Sequence, residues 1–418
     1  MIRSVISCVA AVLLMGCLTP AARARTLEDI LKDKGVITAE DYAEATRNPA
    51  LAYYQPGKGM TIETADGNYK AQIGGYAQLI YRYSDYDDSA RNNKSDFDIR
   101  RFKIQLKGHL VNRKFGYKFQ GEMAGGFKTE DAYLNYKFGA PLVLQGGQFK
   151  PPQARQELTS ASRQLFPDRS LANDTFNFGR DQGIQIAGSF KHKLLQYRVG
   201  VFNGNGPNIS NPDNHLMYNG RIDINPLGSF KMNEAGFPPQ KALLNLGASF
   251  SYNTVTGDDV GSNFDKDNDV LDKALNLDAM TKAEFTTAYG KDLKVQVMTA
   301  NINYKWSALT MAGEYYAMNA DPEIGEDWDA DGYYLQAGYQ VLPQTLEVGV
   351  RYAAIDSDSK TATRQVSAEF DKSETQVGVN YYFNKHLAKL QTDLTFVQDD
   401  LKNNGDDVVF RMQAQFYY

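Results

Sequence analysis

The sequence predicts an all-β protein: a 16-stranded antiparallel transmembrane β-barrel with a short N-terminal helical periplasmic extension. Three observations lead there. The 418 residues are rich in Tyr (26), Phe (22) and Gly (35), yet mean hydropathy is negative, which suits strands with one apolar and one polar face. Beyond the first two dozen residues no run approaches the roughly 18 continuous apolar positions of a helical span, whereas a barrel strand touches lipid only at alternate residues. From Lys70 onward the dominant period is two.

The chain opens on what reads as a signal peptide over residues 1–24: Arg3, an apolar run over 5–18, and Ala22-Arg23-Ala24 as a small-x-small cleavage site. Arg25 is then the expected mature N-terminus. Leu14-Met15-Gly16-Cys17 also loosely resembles a lipoprotein cleavage site, which leaves the type of signal open. The only cysteines, Cys8 and Cys17, both lie in this segment, so no disulfide or thiol chemistry is expected. Residues 25–58 read as a periplasmic helical extension and linker. Leu27, Ile30 and Leu31 share a helical face, Gly35 ends it, and Thr38 with Asp41 caps a second helix over 39–46. Asn48-Pro49 and Gln55-Pro56-Gly57-Lys58-Gly59 then mark the linker, with the barrel over 59–418.

Strands are expected to start near 70, 96, 113, 129, 141, 183, 193, 216, 241, 292, 307, 330, 344, 372, 387 and 406. Leu346, Val348, Val350 and Tyr352 alternate with Glu347, Gly349 and Arg351; near the end, Phe410, Met412, Ala414, Phe416 and Tyr418 alternate with Arg411, Gln413 and Gln415. A face carrying Arg and Gln needs water, so the polar side is expected inward and the apolar side toward lipid. Connections alternate between short turns and the long stretches 85–95, 151–182, 256–291 and 357–371. Two break the rhythm: 125–128 is short on the long side and 227–240 long on the short side. Sandwiches and propellers share such Gly-rich turns, but Tyr81, Phe138, Tyr381 and Phe416 sit at strand ends, where an interfacial aromatic girdle lies.

The formal charge of −5 is unevenly spread, since 97–150 holds ten Lys or Arg against four Asp or Glu. In Phe97-Asp98-Ile99-Arg100-Arg101-Phe102-Lys103-Ile104-Gln105-Leu106-Lys107, apolar residues hold odd positions up to Ile99 and even ones from Phe102. The phase slips at the arginines. A β-bulge there lets Arg100 and Arg101 join Lys103 and Lys107 on the lumenal wall; without one, Arg100 faces hydrocarbon at a cost of about 2–4 kcal/mol near the midplane. The connection 151–182 is expected to fold inward as a constriction, with Lys150 and Arg155 lining the pore. Asp168 with Arg169, and Arg180 with Asp181, read as pairs that brace the loop. Solvated lumenal charge without selectivity is the alternative.

Asp327, Asp329 and Asp331 form a weak metal candidate: the D-x-D-x-D-G spacing fits a calcium loop, but Gly338 stands where the bidentate Glu belongs. Like Asp265, Asp267 and Asp269, they read more simply as outer-loop acids bridged to lipopolysaccharide by divalent ions. No cofactor is expected. His109, His192, His215 and His386 fall in or beside turns and no G-x-S-x-G occurs, so no catalytic residue is assigned. An adhesion or structural barrel is a third functional class.

Phe97-Asp98-Ile99-Arg100-Arg101, Phe115-Gly116-Tyr117-Lys118, Asp131-Ala132-Tyr133-Leu134, Gly147-Gln148-Phe149-Lys150-Pro151, Asp168-Arg169-Ser170 and Gly179-Arg180-Asp181-Gln182-Gly183 together resemble the phosphate-selective porin O/P family. Tyr418 is similar to that family's terminal aromatic assembly signal. The resemblance implies an outer-membrane homotrimer among lipid and lipopolysaccharide, a passive diffusion channel for small anions such as phosphate, with no nucleic-acid partner. It matches Arg100 and Arg101 to the family's arginine pair and Lys150 to the lysine that opens the lumenal loop. The family's later ladder of alternating arginines is missing: between Tyr197 and Phe230 only Arg198 and Arg221 occur. A general porin for small hydrophilic solutes is the alternative.

Overall fold

The computed structural model describes residues 27–42, 51–64, 66–87, 91–237, 241–357, 370–399 and 406–418; the signal segment and its cleavage site lie outside them. Two compact units divide at Ala50/Leu51. In the first, α1 (Leu27–Asp33) is followed by a helical turn at 39–42. The expected cap forms: Asp41 N donates to Thr38 Oγ1 (3.0 Å) and Thr38 N to the Asp41 carboxylate (2.9 Å).

The second unit opens with a hairpin, β1 (Leu51–Gln55) and β2 (Gly59–Glu63), and continues through β3 (Lys70–Asp85), β4 (Lys94–His109), β5 (Phe115–Glu122), β6 (Lys128–Gly139), β7 (Leu142–Phe149), β8 (Asp181–Phe190), β9 (Leu195–Phe202) and β10 (Met217–Ile224). The remaining strands are β11 (Leu243–Thr256), β12 (Asp292–Trp306), β13 (Leu309–Pro322), β14 (Trp328–Leu342), β15 (Leu346–Ser357), β16 (Lys372–Asn384), β17 (Ala388–Asp399) and β18 (Asp407–Tyr417). From β3 each strand pairs antiparallel with the next, and β18 returns to β3, closing a sixteen-stranded barrel. Every expected start lies within two residues of an observed one.

The linker expected up to Gly59 is corrected, because 51–55 and 59–63 are strands joined by a turn at 56–58. Lys58 N donates to Gln55 O (2.9 Å) around Pro56 and Gly57, the latter at φ +75°. Proline then glycine at the centre of a type II turn folds the chain back on itself when alternating residues flank it. β2 pairs with the start of β3, Lys70 to Ile73, and β18 with the rest.

The phase of the last strand is as expected: Gln413 is 0% exposed and faces the lumen, whereas Phe416 is 47% exposed and faces out. The expected bulge also forms. Gln78 pairs with Arg101 and Leu79 with Ile99, leaving Arg100 as the extra residue.

On β12 to β15 the polarity of the two faces reverses partway along. Leu293, Val295 and Val297 point inward and are fully buried, then Thr299, Asn301 and Asn303 continue the same inward row. The outward row runs the other way, from Lys294 and Gln296 to Met298 and Ile302. Apolar-in and polar-out is the pattern of a water-soluble sheet, so these ends read as projecting past the hydrocarbon. Their inward face is covered by two long connections. The 150–180 segment contributes Ala154, Ala172, Phe176 and Phe178, and the 257–291 segment Phe264, Leu271, Leu277 and Phe285. Gly332 leaves the space that the Phe176 ring fills, since a Cβ there would lie 2.7 Å from it. From the opposite end the long connection after β10 also enters the barrel, and Leu165 N donates to the Glu234 carboxylate (2.7 Å).

Phe176→Ala should remove about 3–5 kcal/mol of core packing and loosen the 150–180 segment without opening the wall. Faster proteolysis within that segment, with heat-modifiable gel mobility retained, is the expected result; unchanged proteolysis would show that the core does not hold it.

Candidate functional site

Because the interior core fills the side of the barrel along β12 to β15, open space is displaced to the other side. A cavity of about 780 Å³ runs along β4 to β9 and the inserted 150–180 segment. Eleven Lys or Arg and seven Asp or Glu line it, including Arg100, Arg101, Lys103 and Lys150.

Two ionic clusters fix this surface. In the first, Asp168 of the inserted segment meets three wall guanidiniums: Arg100 at 3.0 Å, Arg101 at 3.6 Å and Arg411 at 3.6 Å. Arg351 Nη1 donates to the Asp168 backbone carbonyl (3.0 Å). Burial opposes ionisation of Asp168, but Arg100, Arg101 and Arg411 outweigh it and hold the carboxyl well below the usual carboxylate range. Arg101 is further fixed by Gln78 Oε1 (2.9 Å), so the bulge delivers both arginines to one loop carboxylate.

The second cluster runs beside it. Lys150 pairs with the Glu157 carboxylate and donates to its backbone carbonyl (2.7 Å), while Arg169 reaches the same carboxylate at 3.0 Å. Burial raises the Glu157 pKa, but Arg169 and Lys150 more than reverse this and bring it down to about 2. On the wall, Arg180 bridges Glu130 (3.2 Å) and Asp131 (2.7 Å), whose other partners are Lys103 and Lys118. Cations and carboxylates thus alternate, with the cations in excess.

A closed sixteen-stranded wall, exposed apolar residues outside, a polar lumen and loops folded into it describe a membrane channel. The family described as "Phosphate-selective porin O and P" matches residues 38–418. The chain belongs to that family. It is an outer-membrane porin. An uncharacterized protein of Aquifex aeolicus (strain VF5) is 23% identical over 430 residues, covering 93% of each chain. Among solved structures, the anion-selective porin from Comamonas acidovorans is 14% identical over 83% of this chain and 99% of its own, with a TM-score of 0.57. The outer membrane channel DcaP of Acinetobacter baumannii is 13% identical over 84% and 98%, with a TM-score of 0.53. At these identities the likeness is one of fold.

Of the residues singled out in the sequence of this porin, Arg100, Arg101, Lys103 and Lys150 line one cavity, and two others do not. Lys107 lies further down the same wall, opposite Lys118 in register. Arg155 turns away: its guanidinium lies against the Phe230 ring at 5.3 Å and 3.8 Å from Asp223, and its backbone N–H is held by Glu314 (2.6 Å). The segment's first helical turn faces the far wall, which period-two reasoning does not reveal in a loop. The two expected braces do not form as pairs of adjacent residues, although Asp168 and Arg169 do brace the segment through other partners. Asp168 and Arg169 point to different partners, as do Arg180 and Asp181, whose carboxylate accepts from Gly204 N (2.6 Å). Lys118, Arg169, Arg180, Arg198 and Arg411 complete the basic surface or its anchors; for Lys118, Arg198 and Arg411 the strand alternation already held the signal.

The metal candidate is also corrected. Asp329 and Asp331 lie on β14, not in a loop, with Asp329 accepting from Asn319 Nδ2 (2.8 Å) and Asp331 opposite Asp356. An extended strand spreads such a row instead of wrapping it around an ion. Among the described residues no three His, Cys, Asp or Glu side chains are grouped to hold a metal.

Asp168→Asn should leave Arg100 and Arg101 without their carboxylate and Arg411 with Asp393 alone (2.6 Å), shifting the zero-current potential in a KCl gradient further toward chloride while increasing open-channel noise; an unchanged potential would show that these arginines do not face the ion path. The low carboxylate pKa values fix the sign of the acid dependence. A carboxyl whose pKa is depressed on anchoring contributes fully above its ordinary value of about 4, and that contribution is lost as pH falls toward 2. Open-channel noise should therefore stay flat from pH 7 to about pH 4 and rise only in stronger acid.

Proposed function

We propose that this porin is a passive diffusion channel for small anions, phosphate among them, with the path running along the basic cavity. The observation that carries this reading is the charge of the lining: eleven cations to seven acids, in a chain whose formal charge is −5. Guanidinium and ammonium groups replace part of an anion's hydration shell by directed hydrogen bonds, and a narrowed, partly dehydrated passage strengthens that exchange. Arg169, Arg180 and Lys150 stand where such an anion passes the inserted segment, while Arg100 and Arg101 add field and hold the segment through Asp168.

A general porin for small hydrophilic solutes is the second reading. It is favoured by how many lining cations are already paired, Lys103 and Arg180 with Glu130 and Asp131, Lys150 and Arg169 with Glu157. Internal neutralisation weakens selectivity without blocking flow. We further read residues 1–24 as an export signal, 25–50 as a periplasmic extension, the active form as a homotrimer, and the acidic outer connections as facing lipopolysaccharide.

The zero-current potential of the purified protein in a planar bilayer under a KCl gradient tests the reading. Chloride selectivity is expected, with current reduced by added phosphate and both effects weakened by Arg100→Ala with Arg101→Ala. Absent or cationic selectivity moves the assignment to the general porin.

A further inference from the structure

The segment that enters the barrel from the short-turn end meets the one inserted from the other end. Residues 228–237, between β10 and β11, carry Glu234, whose carboxylate accepts from Leu165 N (2.7 Å) and Gln156 Nε2 (3.4 Å). The Glu234 N–H donates to Arg163 O (3.0 Å). On the far side Lys305 of β12 donates to Asn233 O, Asn233 Oδ1 and Ala235 O, and the Phe230 ring lies between Lys305 (5.1 Å) and Arg155 (5.3 Å). A few polar contacts at one turn thus hold the segment in place. Met232, on the same turn, lines the basic cavity.

The wall beneath this segment has the chemistry of a wet surface. An inward row of a barrel strand is polar where it faces water, and Asn303, Lys305, Gln340 and Glu347 belong to such rows, yet all are buried. Phe237 sets its ring near-perpendicular to Tyr382 (5.0 Å) and His386 (5.2 Å), and Tyr382 Oη donates to Glu347, the register partner of Gln340. Gln340 Nε2 and Oε1, Glu347 Oε1 and both His386 ring nitrogens are buried with no hydrogen-bond partner among the described residues. Buried polar atoms left unmet are costly, and water meets them once the segment withdraws. The 150–180 segment is seated differently, because Ala172, Phe176 and Phe178 belong to an apolar core. One segment is held by packing, the other by a latch.

We propose that residues 228–237 are an autoinhibitory gate, latched to the inserted segment by Glu234, whose release widens the cavity at Met232 and raises conductance. On leaving, the segment exchanges its hydrogen bonds at Glu234 and Lys305 for hydration of Gln340, Glu347 and His386, which brings the latched and released states closer in free energy. The gate acts on any ion that passes, because it changes the size of the current and not its sign.

Beyond residue 24 the chain has no cysteine, so Ala235→Cys adds the only thiol there, at a site 1% exposed while the latch is closed. Its modification by a charged methanethiosulfonate, followed by mass spectrometry on the purified channel, reports release. Ala172→Cys, at a fully buried site in the apolar core, is the reference. Glu234→Gln, which keeps the side-chain shape and removes the charge, should speed modification of Ala235→Cys about tenfold, the loss of one charge-assisted hydrogen bond, and leave Ala172→Cys unchanged. In bilayers Glu234→Gln should spend more time at a conductance level above the main wild-type one. Lys305→Met, which frees the same turn from the wall, should do the same; heat-modifiable gel mobility checks that each variant is folded. Equal modification of Ala235→Cys with and without Glu234→Gln, faster modification at both thiols, or conductance levels unchanged in folded Glu234→Gln and Lys305→Met overturns the gate.

Discussion

One carboxylate organises the lumen. Asp168 binds Arg100 and Arg101 of β4 and lies 3.6 Å from Arg411 of β18, which Asp393 of β17 holds at 2.6 Å, so the wall cations meet at a single point of the inserted segment. Three guanidiniums on one wall would repel each other and their burial would be unfavourable alone; Asp168, with Asp393 beside Arg411, makes their convergence stable, and Asp168 pins the segment across the barrel. The position of the cavity, the pairing of Lys150 with Glu157 and the burial of Phe176 all follow from where that segment is held.

The barrel then behaves as two materials. Along β12 to β15 its interior is packed like that of a soluble protein, with Val295, Val297, Tyr316 and Ile355 against residues of the two long connections. Along β4 to β9 it is polar, charged and open. The same period-two backbone serves both, because an inward row changes from apolar to polar where the wall passes from water into lipid. Rigidity on one side and hydration on the other let a narrow passage keep its shape without a solid plug.

Strand positions were legible because alternation is a local property: strand geometry alone dictates it. The bulge was legible for the same reason, since a lipid-facing row cannot tolerate Arg100 and the phase must slip. The ion pairs were not. Asp168 meets Arg100 across 68 positions of sequence, whereas the adjacent Asp168 and Arg169 lie in an irregular stretch, where no periodicity tells which way a side chain points. Arg155 failed as a pore-lining residue for a related reason, as a short helical turn has no lipid face from which to infer its direction. Pro56-Gly57 was seen as a break but not as a hairpin, because the strand behind it is only five residues long.

The hairpin has a bearing on pore width. β18 runs down the edge of β3 as far as Tyr418, which exchanges backbone hydrogen bonds with Gly75 at 3.2 Å. The next stretch of that edge is occupied by β2, and Gly74 is crowded by Lys58 and Gly59 on one side and by Tyr418 on the other. The two pieces lie end to end as one interrupted strand. In a closed barrel the register at the seam sets the shear, and with it strand tilt and diameter. Since β18 cannot slide further along β3 without striking Gly59, a short hairpin outside the barrel proper acts as a mechanical stop that fixes the calibre of the channel.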